Sequence, residues 1–578
     1  MDLASIFHRS AFTDCYALDH NTVVVNLRTG RDVTNVTIYH RDPFAGGDQT
    51  EPLVMEPKWE LQHHRIWSIQ LQPKYKREQY YFRISDAEQT VFLFGDGFCT
   101  PQEEKDPERM RQYFKYPWLN PDDVFTPPKW LADTVWYQIM PDRFCRGSEA
   151  EKRFPLCNWD SKRKITYRDF YGGDLQGITK KLPYLKELGV TGIYMTPIFL
   201  SDSNHKYNTF DYTKIDPDFG TEEDLRTLVR TAHDMGIRVM LDAVFNHCGS
   251  QFQQWQDVVR NGPDSPYWDW FFVHQWPIPQ EGWDTLDKRF YSFSFTTSMP
   301  KLNTNNPEVR QFCIDLCKKW ITQWDIDGIR FDVGDEVSHR FLKEMNRELK
   351  AVKPDVFLLG ELWHDSVQWL QGDEYDATMN YPFLISLQNF WIGEQSAKDL
   401  MYAMNRCYTM YPQQLSTILF NFLDTHDTVR AVTRCGGLDA FYQQLTMLMT
   451  MPGSPCIYYG TEIALEGGND PDCRRPMPWK SIEAGKFDPR IQDCKDLIRI
   501  RQECPETRSD RVVWHNSPIP RLIHFSRPGE KNKTMLSVYL NADKIPAQIK
   551  LSGKLLFSRN LKDDILRPGG IAIIRKER

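Results

Sequence analysis

Hydrophobic and polar positions follow two different patterns along this chain of 578 residues. In residues 1–123, short apolar runs alternate with polar positions between turns rich in Gly, Asp and Pro, a pattern typical of β-strands. Repeated strands of this kind predict a β-sandwich domain over 1–123. The predicted strands are 22–28, 36–40, 67–72, 80–84 and 90–94.

From residue 124 onward the pattern changes, after a Pro-rich boundary at 116–128. Short apolar strands now alternate with segments such as 222–235 and 307–324, whose apolar residues have helical spacing. Eight strands that alternate with helices predict a (β/α)8 TIM barrel within the α/β class, over 124–247 and 304–504. The predicted strands are 134–140, 190–195, 238–244, 328–333, 356–362, 378–381, 418–423 and 456–459.

Two further regions complete the predicted organisation. Residues 248–303 are too long and too aromatic for a plain loop after the third barrel strand, so we predict a small inserted domain there. From 505 to 578 the β pattern returns, with runs at 535–540 and 570–574 that predict a C-terminal antiparallel β domain.

Charge and cysteine content exclude several classes of protein. The net charge of −7 gives no electrostatic footprint for nucleic acid or an anionic membrane. No apolar run reaches the roughly 18 residues of a membrane span, and the first residues do not resemble a secretory signal. Thirteen scattered Cys without a CxxC pair are typical of free thiols in a reducing cytoplasm, which we expect to be the location.

Polar and charged residues gather at four predicted strand ends. In a barrel of this type the active site lies at the C-terminal ends of the strands, so these positions are the ones that bear on function. The side chains concerned are Asp242, His247, Arg330, Asp332, Glu361, His426 and Asp427.

The residue types at these ends suit cleavage of a glycosidic bond. Side chains alternate along a strand, so Arg330 and Asp332 project to one face, and the cation favours an ionised Asp332, as a nucleophile requires. Glu361 lies on the next strand, and we expect burial and its negative neighbour to raise its pKa, as a general acid requires. Two carboxylates ~5–5.5 Å apart are the arrangement of a retaining glycosidase.

Each of these residues alone has an ordinary structural explanation. An Asp–Arg pair on a strand is more often an ion pair of the scaffold, and a His on an apolar strand is more often a satisfied core residue. Asp427 suits hydrogen bonding to sugar hydroxyls, and His247 and His426 suit the same ring. Because four strand ends of one barrel carry carboxylates together, we predict a carbohydrate-active enzyme.

The same segments resemble a known family. Asp-Ala-Val-Phe-Asn-His at 242–247, Gly-Ile-Arg-Phe-Asp-Val-Gly-Asp-Glu-Val-Ser-His at 328–339, Gly-Glu-Leu-Trp-His-Asp at 360–365 and Phe-Leu-Asp-Thr-His-Asp at 422–427 resemble, in order, the four sequence blocks of the α-amylase family, glycoside hydrolase family 13. Met-Pro-Lys-Leu-Asn at 299–303, Ser-Asn-His-Lys-Tyr at 203–207 and Asp-Pro-Asp-Cys-Arg at 470–474 are similar to its neopullulanase, cyclomaltodextrinase and maltogenic amylase subgroup. The first 120 residues are similar to that subgroup's starch-binding-module-like domain.

The resemblance implies a role for each matching residue. Asp332 would be the nucleophile, Glu361 the acid/base and Asp427 the transition-state stabiliser. Tyr137 would be the stacking platform under the reacting sugar, its alternative being a core aromatic of the barrel. The other implied substrate-binding residues are His247, Arg330, His426 and Asp242 around the cleavage subsite, Trp363 and Glu336 beside the acceptor subsites, and Asp470 and Arg474 as a donor-side clamp.

The sequence departs from the family at one metal site. Many members have a calcium loop after the first barrel strand that is rich in Asn and Asp, whereas Arg146 and Ser148 stand in that stretch here. Gly172 and Asp174 remain as candidate calcium ligands. A cation in a ligand position opposes Ca²⁺, which needs six to eight oxygens. We therefore expect no required cofactor and no calcium in this loop, and a Lys or Arg charge is our hypothesis for its replacement.

The resemblance also implies an assembly and a substrate class. In relatives the N-terminal domain walls the partner's active site in a homodimer, and Phe44 resembles the loop residue involved. The substrates would be maltodextrins, cyclodextrins or pullulan, cleaved at α-1,4 bonds with transglycosylation as a side activity.

Two other functions stay open at this point. An exo-acting oligo-α-1,6-glucosidase is disfavoured by Met-Pro-Lys at 299–301 and by the N-terminal domain. A non-catalytic α-glucan-binding protein is disfavoured because such proteins lose the carboxylates that Asp332, Glu361 and Asp427 retain here.

Overall fold

The chain forms two compact units in the computed structural model, which describes residues 1–45, 50–106, 108, 110–159, 164–279, 282, 284–529, 531 and 533–577. The first unit consists of Met1–Pro127, Leu370–Gly372 and Gln395–Ser416. The second consists of Pro128–Trp369, Asp373–Glu394 and Thr417–Arg578. The region 248–303 lies wholly in the second unit. Both stretches of the predicted barrel lie there too, apart from 124–127, 370–372 and 395–416.

The first unit contains two antiparallel sheets, in the orders β1-β2-β6-β5 and β4-β3-β7-β8-β9, with β10 paired to β7. Alternate residues of β2, β3, β6 and β7 point into one shared core, among them Val25, Leu27, Ile38, Trp67 and Phe82. The predicted β-sandwich is therefore confirmed. The strands are β1 Cys15–Ala17, β2 Val23–Gly30, β3 Asn35–Arg41, β4 Glu51–Val54, β5 Glu56–Glu60, β6 His64–Leu71, β7 Glu78–Ser85, β8 Thr90–Phe94, β9 Gly97–Cys99 and β10 Phe114–Tyr116.

Eight parallel strands of the second unit form a sheet in the order β18-β17-β16-β15-β12-β11-β20-β19. A parallel bridge between Met379, just after β18, and Phe420 in β19 joins the two edges, so the predicted TIM barrel is confirmed. The strands, with the antiparallel pair β13 and β14, are β11 Trp136–Ile139, β12 Gly192–Met195, β13 Phe199–Leu200, β14 Asp211–Ile215, β15 Arg238–Ala243, β16 Gly328–Phe331, β17 Phe357–Gly360, β18 Ala377–Thr378, β19 Phe420–Phe422 and β20 Ser454–Tyr458.

The two helical segments named from the sequence begin where predicted. A capping box between Thr221 and Asp224 starts the helix predicted at 222–235, and Asn306 caps the one predicted at 307–324. The sixth barrel strand is shorter than predicted, because Asn380 caps the helix that begins at Tyr381. The helices are α1 Pro101–Glu104, α2 Pro141–Phe144, α3 Leu175–Leu188, α4 Glu222–Asp234, α5 Gln253–Asn261, α6 Pro307–Trp324, α7 His339–Val352, α8 Tyr381–Ile392, α9 Ala397–Thr409, α10 Ala431–Arg434, α11 Leu438–Thr450, α12 Trp479–Glu483 and α13 Asp488–Glu503.

The C-terminal part of the second unit is an antiparallel sheet in the order β21-β22-β23-β26-β24, with β25 paired to β26, as the sequence predicts. Its strands are β21 Val513–Trp514, β22 Leu522–Pro528, β23 Thr534–Asn541, β24 Ala547–Gln548, β25 Lys554–Lys562 and β26 Ile565–Glu577. All thirteen cysteines lie within the described residues and are free thiols, as predicted. In the described residues, no helix has the length and apolar character that crossing a membrane requires.

Candidate active site

A cavity of about 440 Å³ opens where the barrel strands end. It has the size of a typical ligand pocket. Carboxyl ends of neighbouring parallel strands meet at one edge of a sheet, which brings together side chains that are far apart in sequence. The predicted residues that line it are His247, Asp332, Glu361, Trp363, His426, Asp427, Asp470 and Arg474.

A single buried guanidinium connects three carboxyl groups beneath this cavity. Arg330 Nη1 donates to both oxygens of Asp242 at 3.0 Å and to Oδ1 of Asp332 at 2.7 Å. Its Nη2 lies 2.8 Å from Oε2 of Glu361. Register accounts for the grouping, because Asp242 pairs with Arg330 across β15 and β16, while Asp332 and Glu361 follow β16 and β17. The two candidate catalytic carboxyls are therefore held on one rigid cation.

The electrostatics of this group favour a shared proton. Burial raises the pKa of Asp332 well above its ordinary value; Arg330 opposes the shift, and Glu361 and Asp242 add to it. Burial also raises the pKa of Asp242, against Arg330 and two tyrosine hydroxyls. One guanidinium cannot neutralise three carboxylates in a buried site, and the raised pKa values of Asp242 and Asp332 favour retention of a proton between these two groups. An acid beside an ionised carboxylate is what glycosidic bond cleavage needs.

Glu361 is held on both of its oxygens. The backbone N–H of Val333 donates to Oε2 at 3.0 Å, and the indole N–H of Trp363 donates to Oε1 at 3.2 Å. The Tyr381 hydroxyl lies 3.4 Å from Oε1, and its ring stacks on Trp363 with centroids 3.7 Å apart. Trp363 is nevertheless half exposed, so one face of the indole remains open beside Glu361.

Asp427 lies on the cavity wall with two fixed neighbours. Arg474 Nη2 donates to its Oδ1 at 3.1 Å, and His426 Nε2 is 3.1 Å from its Oδ2. Arg474 Nε is also 2.9 Å from Asp470 Oδ1, which joins both members of the predicted donor-side clamp. Asp427 keeps about a third of its side chain exposed (32%), which leaves it accessible to a ligand.

The two predicted histidines face the cavity as neutral rings. Burial lowers the pKa of His247 to about 3, and burial with Arg474 and Arg330 lowers that of His426 well below its ordinary value. Gln138 Nε2 donates to His426 Nδ1 at 2.8 Å, so the proton of that ring is on Nε2. His247 Nε2 is buried and has no hydrogen-bond partner among the described residues. A buried polar atom without a partner is costly, so this nitrogen is suited to a hydroxyl of a ligand.

Tyr137 is not the stacking platform, and that prediction is corrected here. Its side chain is fully buried within β11, and its hydroxyl donates to Glu462 Oε1 at 2.8 Å in the barrel interior. Tyr207 faces the cavity instead, stacked on His426 with centroids 5.3 Å apart. Its hydroxyl lies 3.0 Å from Asp242 Oδ2 and 2.7 Å from His426 Nε2.

The remaining predicted residues lie outside the cavity wall. Asp242 and Arg330 are fully buried beneath it, where Asp242 contacts the Tyr207 hydroxyl and Arg330 contacts Asp332 and Glu361. Glu336 is half exposed and pairs with Lys301 Nζ at 2.9 Å. Phe44 lies in the first unit, exposed over the guanidinium of Arg77 at 4.8 Å from its ring centroid.

Several lining residues were not predicted. Most of them are aromatic or polar side chains in the connections between barrel strands or inside the long insertion, whereas Met299 and Val333 are apolar and give no such signal. The short run 203–207, noted for its family resemblance, contains two of them, and 299–303 contains another. The cavity residues missed are Tyr167, His205, Tyr207, Phe293, Met299, Val333 and Asp335.

The candidate calcium ligands do not fit a metal. Both oxygens of Asp174 already accept hydrogen bonds: Oδ1 from the N–H groups of Gly147 and Gly177, and Oδ2 from the Ser148 N–H and the Lys152 ammonium. The Gly172 N–H donates to Asp142 Oδ1. Over the described residues, no group of three or more His, Cys, Asp or Glu side chains is arranged to hold a metal ion.

Comparison with known proteins agrees with this geometry. Residues 138–508 match the family model for the α-amylase catalytic domain, and residues 1–120 match that for the α-amylase N-terminal Ig-like domain.

Two curated relatives and one solved structure are similar over most of their length. The intracellular maltogenic amylase of Bacillus subtilis is 42% identical over 87% of this chain and 85% of its own. The cyclomaltodextrinase of Geobacillus thermopakistaniensis is 40% identical over 96% of this chain and 94% of its own. A solved cyclomaltodextrinase superposes with a TM-score of 0.89 at 33% identity, covering 100% of this chain and 98% of that one. The chain belongs to the α-amylase family of glycoside hydrolases.

Proposed function

We propose that the enzyme hydrolyses α-1,4-glucosidic bonds of cyclomaltodextrins, maltooligosaccharides and pullulan through a covalent glycosyl-enzyme. The observation that carries this proposal is the attachment of Asp332 and Glu361 to one guanidinium at the cavity floor, with Asp427 on the wall. Relatives named maltogenic amylase and cyclomaltodextrinase support the substrate class. Pullulan is included because of the resemblance to neopullulanases.

In the first step the Asp332 carboxylate attacks the anomeric carbon, and the C–O bond to the leaving sugar breaks. Glu361 transfers its proton to that oxygen, so the leaving sugar departs as a neutral alcohol. In the second step Glu361, now ionised, takes a proton from water, whose oxygen displaces Asp332 and regenerates the enzyme. Asp427 and the neutral Nε2 of His247 hydrogen-bond ring hydroxyls.

Transfer to a second sugar competes with water in the second step. The half-exposed Trp363 offers a flat apolar face beside Glu361, on which an acceptor sugar can stack. A stacked acceptor presents its hydroxyl to the general base, so we propose transglycosylation as a side activity. No metal or organic cofactor is assigned a role, because the chain's own carboxyls supply the nucleophile and the proton.

The assembly and location proposed with this function are a cytoplasmic homodimer formed through the N-terminal domain. The thirteen free cysteines suit a reducing compartment. The exposed Phe44 ring is the residue we propose to touch substrate in the partner's site. Residues 395–416 pack with 1–127 in one unit, so deleting 1–123 would damage the fold and point variants are the better test.

Mixing two inactive or weakened variants tests the dimer. In a heterodimer of Glu361→Gln and Phe44→Ala protomers, one site combines an intact Glu361 with the partner's Phe44. The proposal predicts that mixing restores wild-type turnover at that site. Additive activities, or a monomer in sedimentation, would refute the shared site while leaving the hydrolytic function standing.

Product analysis on β-cyclodextrin, pullulan and soluble starch, without added calcium, tests the hydrolytic function. Wild type is expected to release maltose or panose, and Glu361→Gln to lose that release. Glu344→Gln on α7, a carboxylate paired with Arg310 outside the cavity, is the matched control and should retain activity. If wild type cleaves none of the three but acts on isomaltose, the exo-α-1,6-glucosidase replaces this proposal.

A further inference from the structure

One buried ammonium joins three segments of the barrel's rim. The Lys152 side chain is 7% exposed, with Nζ 3.1 Å from Asp174 Oδ2 and 2.7 Å from the backbone oxygen of Asp218. Asp174 caps α3, and Asp218 lies just before α4. The loop that follows α2 is thereby fixed to the starts of two helices, although 22 and 66 positions separate these partners in sequence.

Three more ion pairs, formed by the partly exposed Arg153 and the buried Lys206, extend this group toward the active-site cavity. The Arg153 guanidinium donates to Asp216 at 2.6 Å and to Asp218 Oδ2 at 3.0 Å. On the other side of Asp216, Lys206 Nζ lies 2.9 Å from Oδ2. Lys206 is almost fully buried and precedes Tyr207, which faces the cavity. The charged group therefore continues into the loop that carries a cavity residue.

The charges of this group balance without a metal. Lys152, Arg153 and Lys206 supply three positive charges, and Asp174, Asp216 and Asp218 supply three negative ones. A divalent cation added here would leave two uncompensated positive charges in a largely buried place. It would also have to displace the N–H donors that already occupy both Asp174 oxygens. Calcium needs six to eight oxygens, which this donor set does not offer.

We propose that Lys152 is a permanent internal cation that performs the cross-linking expected of a calcium ion in this loop, so that the fold and the cavity require no metal. The sequence left the replacing charge open between Lys and Arg. Arg146 donates to the Tyr171 backbone oxygen and does not reach Asp174 within hydrogen-bond distance, which leaves Lys152 as the cation on Asp174. The proposal rests on ion pairing in the scaffold and is independent of the proposed reaction. An inactive enzyme with these stability properties would still support it.

Thermal unfolding of Lys152→Met, with Lys214→Met as the matched control, tests the proposal. Lys214 forms an exposed pair with Asp211 at 3.1 Å on β14, where loss of the charge should be neutral. Wild type should unfold at the same midpoint in chelator and in calcium chloride. Lys152→Met should unfold several degrees lower in chelator, because removing one partner leaves a buried charge uncompensated. Equal midpoints for the two variants, or a wild-type midpoint that falls in chelator and recovers with calcium, would overturn the proposal.

Direct calcium titration of the chelator-treated wild-type enzyme decides the question even if Lys152→Met fails to fold. Isothermal titration calorimetry with calcium chloride should give the same result for wild type and Asp174→Asn, because no calcium site depends on Asp174. One calcium bound per chain, lost in Asp174→Asn, would place a metal where the proposal places the ammonium and would refute it.

Discussion

The backbone N–H of Val333 donates to Oε2 of Glu361 at 3.0 Å, so the residue that follows Asp332 holds the carboxyl on the next strand. Val333 adopts a left-handed backbone conformation (φ +48°), which a β-branched residue seldom does. Such a conformation costs of order 1–3 kcal/mol and persists where the surrounding structure enforces it. The strained backbone at Val333 thus directs an N–H at the carboxyl that we propose as the acid/base.

Val333→Gly separates the backbone strain at this position from the positioning of Glu361. Glycine accepts φ +48° without a steric cost, so the thermal midpoint should not fall. The freer backbone should hold Glu361 less well, so kcat should fall severalfold with KM little changed. Val244→Gly, at a buried position without a positive φ, is the control and should lower the midpoint. A destabilised Val333→Gly enzyme with wild-type kcat would contradict this account.

Tyr207 and Tyr137 should respond in opposite ways to loss of the hydroxyl. Tyr207→Phe loses the contacts with Asp242 and His426 at the cavity, so we expect kcat/KM to fall at least tenfold while the fold stays intact. Tyr137→Phe removes a buried partner of Glu462, so we expect about 1–3 kcal/mol lower stability with unchanged kcat per folded enzyme. Steady-state kinetics and denaturant unfolding on both variants check this. If Tyr137 were the stacking platform, Tyr137→Phe would lower kcat/KM and Tyr207→Phe would not.

Two substitutions separate two roles of Trp363. Trp363→Phe keeps a ring on Tyr381 but removes the N–H that donates to Glu361, so kcat should fall while the ratio of transfer to hydrolysis is maintained. Trp363→Ala also removes the stacking face, so that ratio should fall as well. Product profiles at high maltose concentration measure it. An unchanged ratio in Trp363→Ala would mean that the acceptor binds elsewhere.

Acid should destabilise the first unit through His8. Burial lowers the pKa of His8 from 6.5 to about 4, against its hydrogen bond to the Asn26 backbone oxygen. The unfolded state then binds the proton more readily, so stability is lost as pH falls from about 6.5 toward 4. Between pH 7 and pH 5 this loss is about 2 kcal/mol.

The comparison variant is His8→Phe, in which that proton uptake is absent. Urea unfolding measures the free energy of unfolding at pH 7 and at pH 5. Its decrease between the two should be smaller in His8→Phe than in wild type by about 2 kcal/mol. Parallel pH dependence in the two proteins would show that His8 is not buried as a neutral ring.

The barrel could be predicted from the sequence because its strands are short, apolar runs buried on both sides between helical segments. The edge strands β4 and β5 were missed because they are largely exposed and contain Pro52 and Pro57, which interrupt an alternating pattern. The cluster of carboxylates in the site was predicted because the C-terminal ends of parallel strands lie at one edge of the sheet.

Contacts between distant segments could not be predicted in the same way. Tyr137 and Tyr207 are both aromatic residues near barrel strands, and the sequence does not reveal that Tyr137 points into the barrel while Tyr207 reaches the cavity from a loop. The sequence suggested a Lys or Arg charge in place of calcium but did not single out Lys152, because its partners lie at Asp174 and Asp218 and spacing alone gives no sign of their meeting.

Trapping the glycosyl-enzyme tests the central claim most directly. In Glu361→Gln, α-maltosyl fluoride can still react with Asp332, because fluoride leaves without an acid, but water cannot be activated to release the sugar. Peptide mass mapping should therefore find a maltosyl group on Asp332, and proton NMR of the wild-type reaction should show the α-anomer as first product. A β-anomer, or a maltosyl group on another residue with Asp332 unmodified, would contradict the account.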